Sequence, residues 1–132
     1  MVSSTLPDEL LAFLRRHVHS VEQLEILLLL FMHRDKQWSA TDVSREMRGS
    51  AASASARLAE LAGSGLLVEH GAATAFSYRS ASDHDASVAL LAATYAERRH
   101  AVIEAIFARP KESMEMFAEA FRFRRRRGDD DG

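Results

Sequence analysis

The chain has 132 residues, 47% hydrophobic and 27% charged, which is enough for one domain with a substantial core. Its net charge is −2, so a surface that binds nucleic acid must arise from local charge separation. The absence of cysteine excludes disulfides, thiolate catalysis and cysteine-ligated metal sites and fits a cytoplasmic protein. No signal peptide is visible, and the longest apolar run, residues 26–32, is far shorter than the ~20 residues that cross a bilayer. We therefore expect no membrane association.

Two helices are predicted near the amino terminus. The first begins near Pro7, which suits a first helical turn, and Asp8 and Glu9 follow at the positive end of the helix dipole. The second begins at Ser20, which forms a capping-box pattern with Gln23. Apolar residues recur at helical spacing in both, at Leu6, Leu10, Leu11, Leu14 and Val18, then at Leu24, Leu27, Leu28 and Phe31. The second helix is apolar almost all round, which predicts a central position in the fold.

Residues 39–65 carry the clearest pattern, which predicts two short helices joined by a tight turn. Ser39 and Asp42 form a capping box at the start of the first, and Ser50 caps the second. Gly65 suits a left-handed residue at the end of the second helix. The predicted inner stripe of the second helix consists of Ala54, Leu58 and Leu61.

A small two-stranded hairpin is predicted over residues 66–80. Residues 66–68 read as one strand, residues 70–71 as the turn, and residues 76–79 as the returning strand. Trp38, just before the third helix, is predicted to form a very short strand and to anchor the core.

The carboxyl-terminal third is predicted to contain one long helix over 83–109, a last helix over 111–123 and a charged, disordered tail over 124–132. Pro110 ends the long helix. Its apolar positions fit either a dimer seam or packing on the same domain. We favour a dimer, because a helix of about 37 Å exceeds a domain of this size. The seam residues would be Val88, Leu91, Tyr95, Val102 and Ile106, and Phe117, Phe121 and Phe123 of the last helix add apolar surface that a monomer would struggle to cover.

The order of elements and the segment from Met47 to Leu67 resemble a known family. The segment, which ends Leu61-x-x-x-Gly65-Leu66-Leu67, resembles the turn and recognition helix of winged-helix repressors, and the helix order resembles the MarR-like transcriptional regulators. The specific part of the resemblance is residues 39–68. It implies a mainly α fold with a small β-hairpin wing, a winged helix–turn–helix flanked by N- and C-terminal dimerisation helices. It further implies a homodimer that binds double-stranded DNA and a small-molecule effector, often aromatic.

Seven residues are predicted to contact DNA on this interpretation. The side of the second short helix opposite its inner stripe is expected to face the major groove. Arginines would contact phosphates or groove edges, two serines would form single hydrogen bonds to bases, and the capping serine would leave backbone N–H groups for a phosphate. The residues are Arg45, Arg48, Ser50, Ser53, Ser55, Arg57 and Arg79.

An alternative function is a winged-helix protein–protein interaction module, such as an adaptor or antagonist of a regulator, without DNA binding. The observation that motivates it is charge: between residues 39 and 65 the arginines are balanced by Asp42, Glu46 and Glu60. The arginine-rich run over residues 122–127 could track phosphates, or it could be a solvated tail that Asp129 and its acidic neighbours neutralise.

No enzyme, cofactor or metal is expected. The sequence has no glycine-rich phosphate loop and no nucleophile elbow around a serine. The six histidines are scattered, and the run of Asp83, His84 and Asp85 places metal-capable atoms on adjacent residues that seldom converge on one ion.

Overall fold

The computed structural model describes residues 6–72, 74–80 and 82–108. This part of the chain is mainly helical with one small antiparallel sheet, an architecture compatible with a winged helix. Its elements are α1 (Asp8–His17), α2 (Val21–Met32), α3 (Ala40–Met47), α4 (Ala51–Gly63), β1 (Leu67–His70), β2 (Ala75–Tyr78), α5 (Asp85–Glu97) and α6 (Arg99–Phe107). The predicted helix over 111–123 and the tail over 124–132 lie outside the described residues.

Serine hydroxyls cap three of the helices, as their sequence positions predict. The Oγ atoms of Ser20 and Ser50 accept backbone N–H groups three residues on, at 3.1 and 3.0 Å. At α3 the capping box is reciprocal, because the carboxylate of Asp42 also accepts the backbone N–H of Ser39 at 3.1 Å. The end of α4 also follows the prediction, with Gly65 at a φ of 85°.

The predicted hairpin is present, and Trp38 adds a third short stretch to it. β1 and β2 pair antiparallel, with Leu67 opposite Tyr78 and Glu69 opposite Phe76. On the other side of β2, Trp38 and Phe76 exchange two backbone hydrogen bonds of 2.7 and 2.8 Å. Trp38 is 4% exposed, which confirms it as a core residue. The order across this sheet is therefore Trp38, β2, β1, with β1 at an edge.

In the described part of the chain, one hydrophobic core lies around α2, which packs against α4, α5 and β2. Its fully buried side chains include Leu10, Val18, Leu24, Leu27, Val43, Leu58, Leu61, Leu66 and Leu91. The predicted central position of α2 is confirmed, although its last residue, Met32, is 68% exposed. No helix among the described residues has the length and apolar character needed to cross a membrane.

The predicted single helix over 83–109 is instead two helices. The chain leaves the helical conformation at Arg98, whose φ and ψ are −131° and 52°. Both α5 and α6 pack on α1. Since α1 has ten residues, it is about 15 Å long, and a straight helix through residues 85–107 would be about 35 Å long and would overshoot it. The break lets both halves bury apolar side chains in the same core.

Most of the positions assigned to a dimer seam are buried within the chain. The side chains of Val88, Leu91 and Val102 are 0% exposed, and that of Ile106 is 4% exposed. The alternative interpretation, packing on the same domain, therefore accounts for these residues. Phe107 at the end of α6 differs from them, because its side chain is 66% exposed.

Candidate nucleic-acid interface

The candidate site is the outward side of α4, which is set by what the helix buries. Ala54, Leu58 and Leu61 are at most 2% exposed and hold α4 against α2 and α3. The opposite stripe, Ala52, Ser55 and Ala59, is exposed. Because an α-helix has 3.6 residues per turn, these three side chains lie above one another on one face. That face is lined with small side chains.

The sequence interpretation placed Ser53 on this outward face, and that placement is wrong. Ser53 is half-buried, and its hydroxyl lies 2.7 and 2.8 Å from the two carboxylate oxygens of Glu22 on α2. The hydroxyl donates its single proton to that carboxylate. Ser53 therefore joins two helices, while Ser55 occupies the exposed face.

Arg57 likewise forms ion pairs within the protein. Its guanidinium lies 3.0 Å from the carboxylate of Glu60 and 3.7 Å from that of Glu22. The amide nitrogen of Gln23 also contacts Glu60, at 3.3 Å. Only 29% of the Arg57 side chain is exposed, so the charge is partly shielded from solvent as well as paired. The prediction of Arg57 as a residue facing the groove is therefore corrected: it stabilises the packing of α4 on α2.

The other predicted arginines are exposed around α4. Arg45 is in the last turn of α3, with its side chain 75% exposed and 3.8 Å from Asp42. Arg48 occupies the turn into α4 with a φ of 60°, and Arg79 follows β2. Within the described residues, neither Arg48 nor Arg79 has a carboxylate within 4.0 Å, and both are exposed. These cations are available to an external anion.

Acidic side chains share this surface. Glu46, Glu60 and Glu69 are exposed on α3, α4 and β1. Asp42 is engaged in its cap, and the hydrogen bonds from Ser39 lower the pKa of its carboxyl. Positive charge is therefore confined to the arginine positions and does not form a continuous patch.

A groove of about 360 Å³ runs between α4 and β1. One wall consists of Ala59, Ala62 and Gly63, and their small side chains leave the space open. Residues 67–69 of β1 form the other wall, and Arg79 lies at the groove. The small residues of this groove are evident in the sequence, but no sequence pattern indicates that they lie beside β1.

A second cluster, which sequence reasoning missed, lies between α1 and α5. His17 is 8% exposed, and its ring lies at 4.5 Å from that of His84 and 4.9 Å from that of Phe13, measured between centroids. Burial, and then the nearby His84, lower the pKa of His17. Across the described segments, no three His, Asp or Glu side chains are grouped as metal ligands.

The sequence matches no protein-family profile, and no curated protein or solved structure is significantly similar to it.

Proposed function

We propose that the chain is a winged-helix protein, MarR-like in its order of elements, that binds double-stranded DNA with α4 in the major groove. One observation carries the proposal: the exposed face of α4 makes no polar contact within the described part of the chain and has Arg45, Arg48 and Arg79 around it. Phosphate contacts from such cations supply most of the affinity of a DNA-binding protein.

The exposed side chains of α4 suit a close approach to base edges. Alanine methyl groups contact the thymine methyl in a major groove, and a serine hydroxyl can donate or accept one hydrogen bond. Ala52, Ser55 and Ala59 offer those chemistries. Ser50 caps the helix, so the first backbone N–H groups of α4 are placed for a phosphate. A face of this kind predicts phosphate-dominated binding with modest sequence preference.

A homodimer is part of the proposal, and the structural observation that supports it concerns the end of α6. The Phe107 side chain is 66% exposed where α6 ends, and Phe117, Phe121 and Phe123 follow in the sequence. We propose that Phe107 contacts a second copy of the chain, because burial of exposed apolar surface favours association. Light scattering at micromolar concentration tests it: we expect twice the chain mass of 14.7 kDa, and a mass of one chain contradicts the dimer.

The test of DNA binding is a fluorescence-anisotropy titration of labelled duplex DNA at several salt concentrations. If the proposal is correct, the logarithm of affinity falls linearly with the logarithm of salt concentration, with a slope that reports several phosphate contacts. Absence of binding at low salt, to genomic fragments and to random duplex alike, contradicts it.

A second candidate function is protein binding without DNA. The charge of the same face favours it, because Glu46, Glu60 and Glu69 are exposed beside the arginines. Such a mixed surface is weakly attracted to a polyanion but matches a protein surface of alternating charge. The same titration separates the two candidates. If the chain shows no salt-dependent affinity for DNA, a partner protein remains as its proposed ligand.

A further inference from the structure

Two histidine rings lie against each other where α1 meets the start of α5. His17 is the last residue of α1, and His84 immediately precedes α5. Their ring centroids are 4.5 Å apart, and the two ring planes are inclined by 63°. The two residues are far apart in sequence, so the fold alone brings their imidazoles together.

The nitrogens of this histidine pair are not engaged by the protein. Nδ1 of His17 is buried and has no hydrogen-bond partner. In the part of the chain that the structure describes, no hydrogen bond or ion pair holds the ring of His84, whose backbone N–H donates to the Ser82 hydroxyl at 3.1 Å. Buried polar atoms without a partner are rare in folded proteins. Two adjacent, unengaged imidazoles are therefore candidate ligands for a metal ion.

Open space adjoins the two rings. A cavity of about 260 Å³ lies between α1 and α5, and His17 and His84 line it together with Ser87. His17 is 8% exposed and His84 is half-buried, so an ion that enters from the cavity meets His84 as the more accessible of the two ligands. The volume is sufficient for an ion and several water molecules.

The electrostatics of the cavity suit neutral imidazoles. Burial, and then the charge of His84, lower the pKa of His17. Arg16 and His19 contribute in the same direction. His17 is therefore neutral near pH 7, which is the form that coordinates a metal ion. Arg16 and Glu9 both line the cavity, so the carboxylate of Glu9 offsets the positive charge of Arg16.

The spacing of the rings selects the type of ion. If a metal–nitrogen bond is about 2.1 Å and the nitrogen lies about 1.1 Å from the ring centre, two imidazoles on one ion have centroids about 4.5 Å apart at a ligand angle of about 90°. At the tetrahedral angle the centroids would be about 5.2 Å apart. The observed 4.5 Å thus matches neighbouring positions of a square or octahedral site. Cu²⁺ and Ni²⁺ favour such geometry with nitrogen and oxygen ligands.

We propose that His17 and His84 bind one divalent transition-metal ion, Ni²⁺ or Cu²⁺ by the geometry, with water in the cavity completing its coordination. Among the described residues no group of three or more His, Asp or Glu side chains surrounds the pair, so the protein supplies two ligands and the ion remains exchangeable. The bound ion links the end of α1 to the start of α5 and stabilises the packing of these helices. The proposal is independent of DNA binding and of a partner protein.

The test is isothermal titration calorimetry of the full chain with Ni²⁺ alone as the probe, at a pH where the imidazoles are neutral. His17→Phe removes one ligand and keeps an aromatic ring, and His84→Gln removes the other ligand at a half-buried position. His100→Gln is the matched control, since the His100 side chain on α6 is 87% exposed and does not line the cavity. Circular dichroism establishes which variants are folded, and His84→Gln decides the outcome if His17→Phe is not.

The expected result is that His17→Phe and His84→Gln bind Ni²⁺ about a hundredfold more weakly than the wild type, because the second ligand no longer acts within the same molecule. His100→Gln should bind as the wild type does. Ni²⁺ should also raise the urea midpoint of the wild type but not that of the two ligand variants. The proposal is overturned if the wild type binds no Ni²⁺, if the ligand variants bind it equally well, or if the loss is confined to His100→Gln.

Discussion

The Ser53 hydroxyl donates to the carboxylate of Glu22 at 2.7 Å, and this contact between α4 and α2 keeps the Ser53 side chain away from the exposed face of α4. The neighbouring contact of Arg57 with Glu22 reinforces it at 3.7 Å. With these polar groups turned inwards, the outward face retains Ser55 as its polar side chain between Ala52 and Ala59. Ser53 and Ser55 therefore have different roles although they are two residues apart.

The first prediction compares these two serines by substitution. Ser53→Ala removes a half-buried hydrogen bond to a charged group and should lower the free energy of unfolding by about 1 kcal/mol. Ser55→Ala, at an exposed position, should change it by less than about 0.5 kcal/mol. Urea unfolding followed by circular dichroism measures both. Equal losses for the two variants would contradict the orientation of α4 described above.

The second prediction concerns stability at mildly acidic pH. His17 is neutral and buried, and its lowered pKa means that the folded chain binds a proton there less readily than the unfolded chain, whose value is near 6.5. The stabilising effect is complete above that value and is lost as the pH falls towards the lower pKa of the folded state. The charges of His84, Arg16 and His19 near His17 add to the repulsion of a proton there. A cavity of about 260 Å³ lies beside His17, and Glu9 is one of the residues that line it.

The measurement is the urea midpoint of the wild type and of His17→Phe between pH 8 and pH 5. The variant keeps an aromatic ring against Phe13 but removes the proton-binding site. Its midpoint should fall less than that of the wild type below about pH 6.5. Parallel curves would show that His17 does not titrate differently in the two states.

The third prediction concerns the junction between α5 and α6. The Tyr95 hydroxyl donates to Glu25 at 2.8 Å, and Arg99 contacts the same oxygen at 3.2 Å. Burial, together with the hydrogen bond to Glu25, raises the pKa of Tyr95 to about 12. Burial and a hydrogen bond to Asp85 also raise the pKa of Tyr78, the only other tyrosine. The stabilisation from these protonated phenols is present below pH 10 and is lost as the pH rises.

Absorbance of phenolate at 295 nm measures this directly. In the folded protein it should remain low at pH 10.5 and rise only at higher pH, whereas in urea it should rise with a midpoint near 10. In the variant Tyr95→Phe, Tyr78 is the only tyrosine left to titrate. We also expect this variant to lower the free energy of unfolding by about 1 kcal/mol, because the contact with Glu25 is lost. A folded protein that titrates near pH 10 would contradict both hydrogen bonds.

Local features of the fold were predictable from sequence because they depend on neighbouring residues. The cap at Ser39 requires Asp42 three residues on, and the left-handed end of α4 requires a residue such as Gly65. The inner stripe of α4 follows from helical periodicity alone. The hairpin also follows from its turn and flanking strands, although its boundaries differ from the prediction by about one or two residues.

Features that depend on distant contacts were not predictable. No proline or glycine marks the break at Arg98, and the break arises because α5 and α6 share α1 as a packing surface. The role of Ser53 depends on Glu22, which is 31 residues away in sequence. Helical periodicity predicted the buried side of α4. It did not predict which polar residues beside the buried stripe would contact α2.

The central claim is that α4 presents its exposed face, with Arg48 and Arg79 beside it, to DNA. The most direct measurement is the salt dependence of DNA affinity for the double variant Arg48→Ala/Arg79→Ala, compared with Arg57→Ala at a temperature where both are folded. We predict that the slope of log affinity against log salt is smaller by about 2 in the double variant, since two phosphate contacts are lost, and unchanged in Arg57→Ala. An unchanged slope in the double variant, or a loss confined to Arg57→Ala, would contradict the claim.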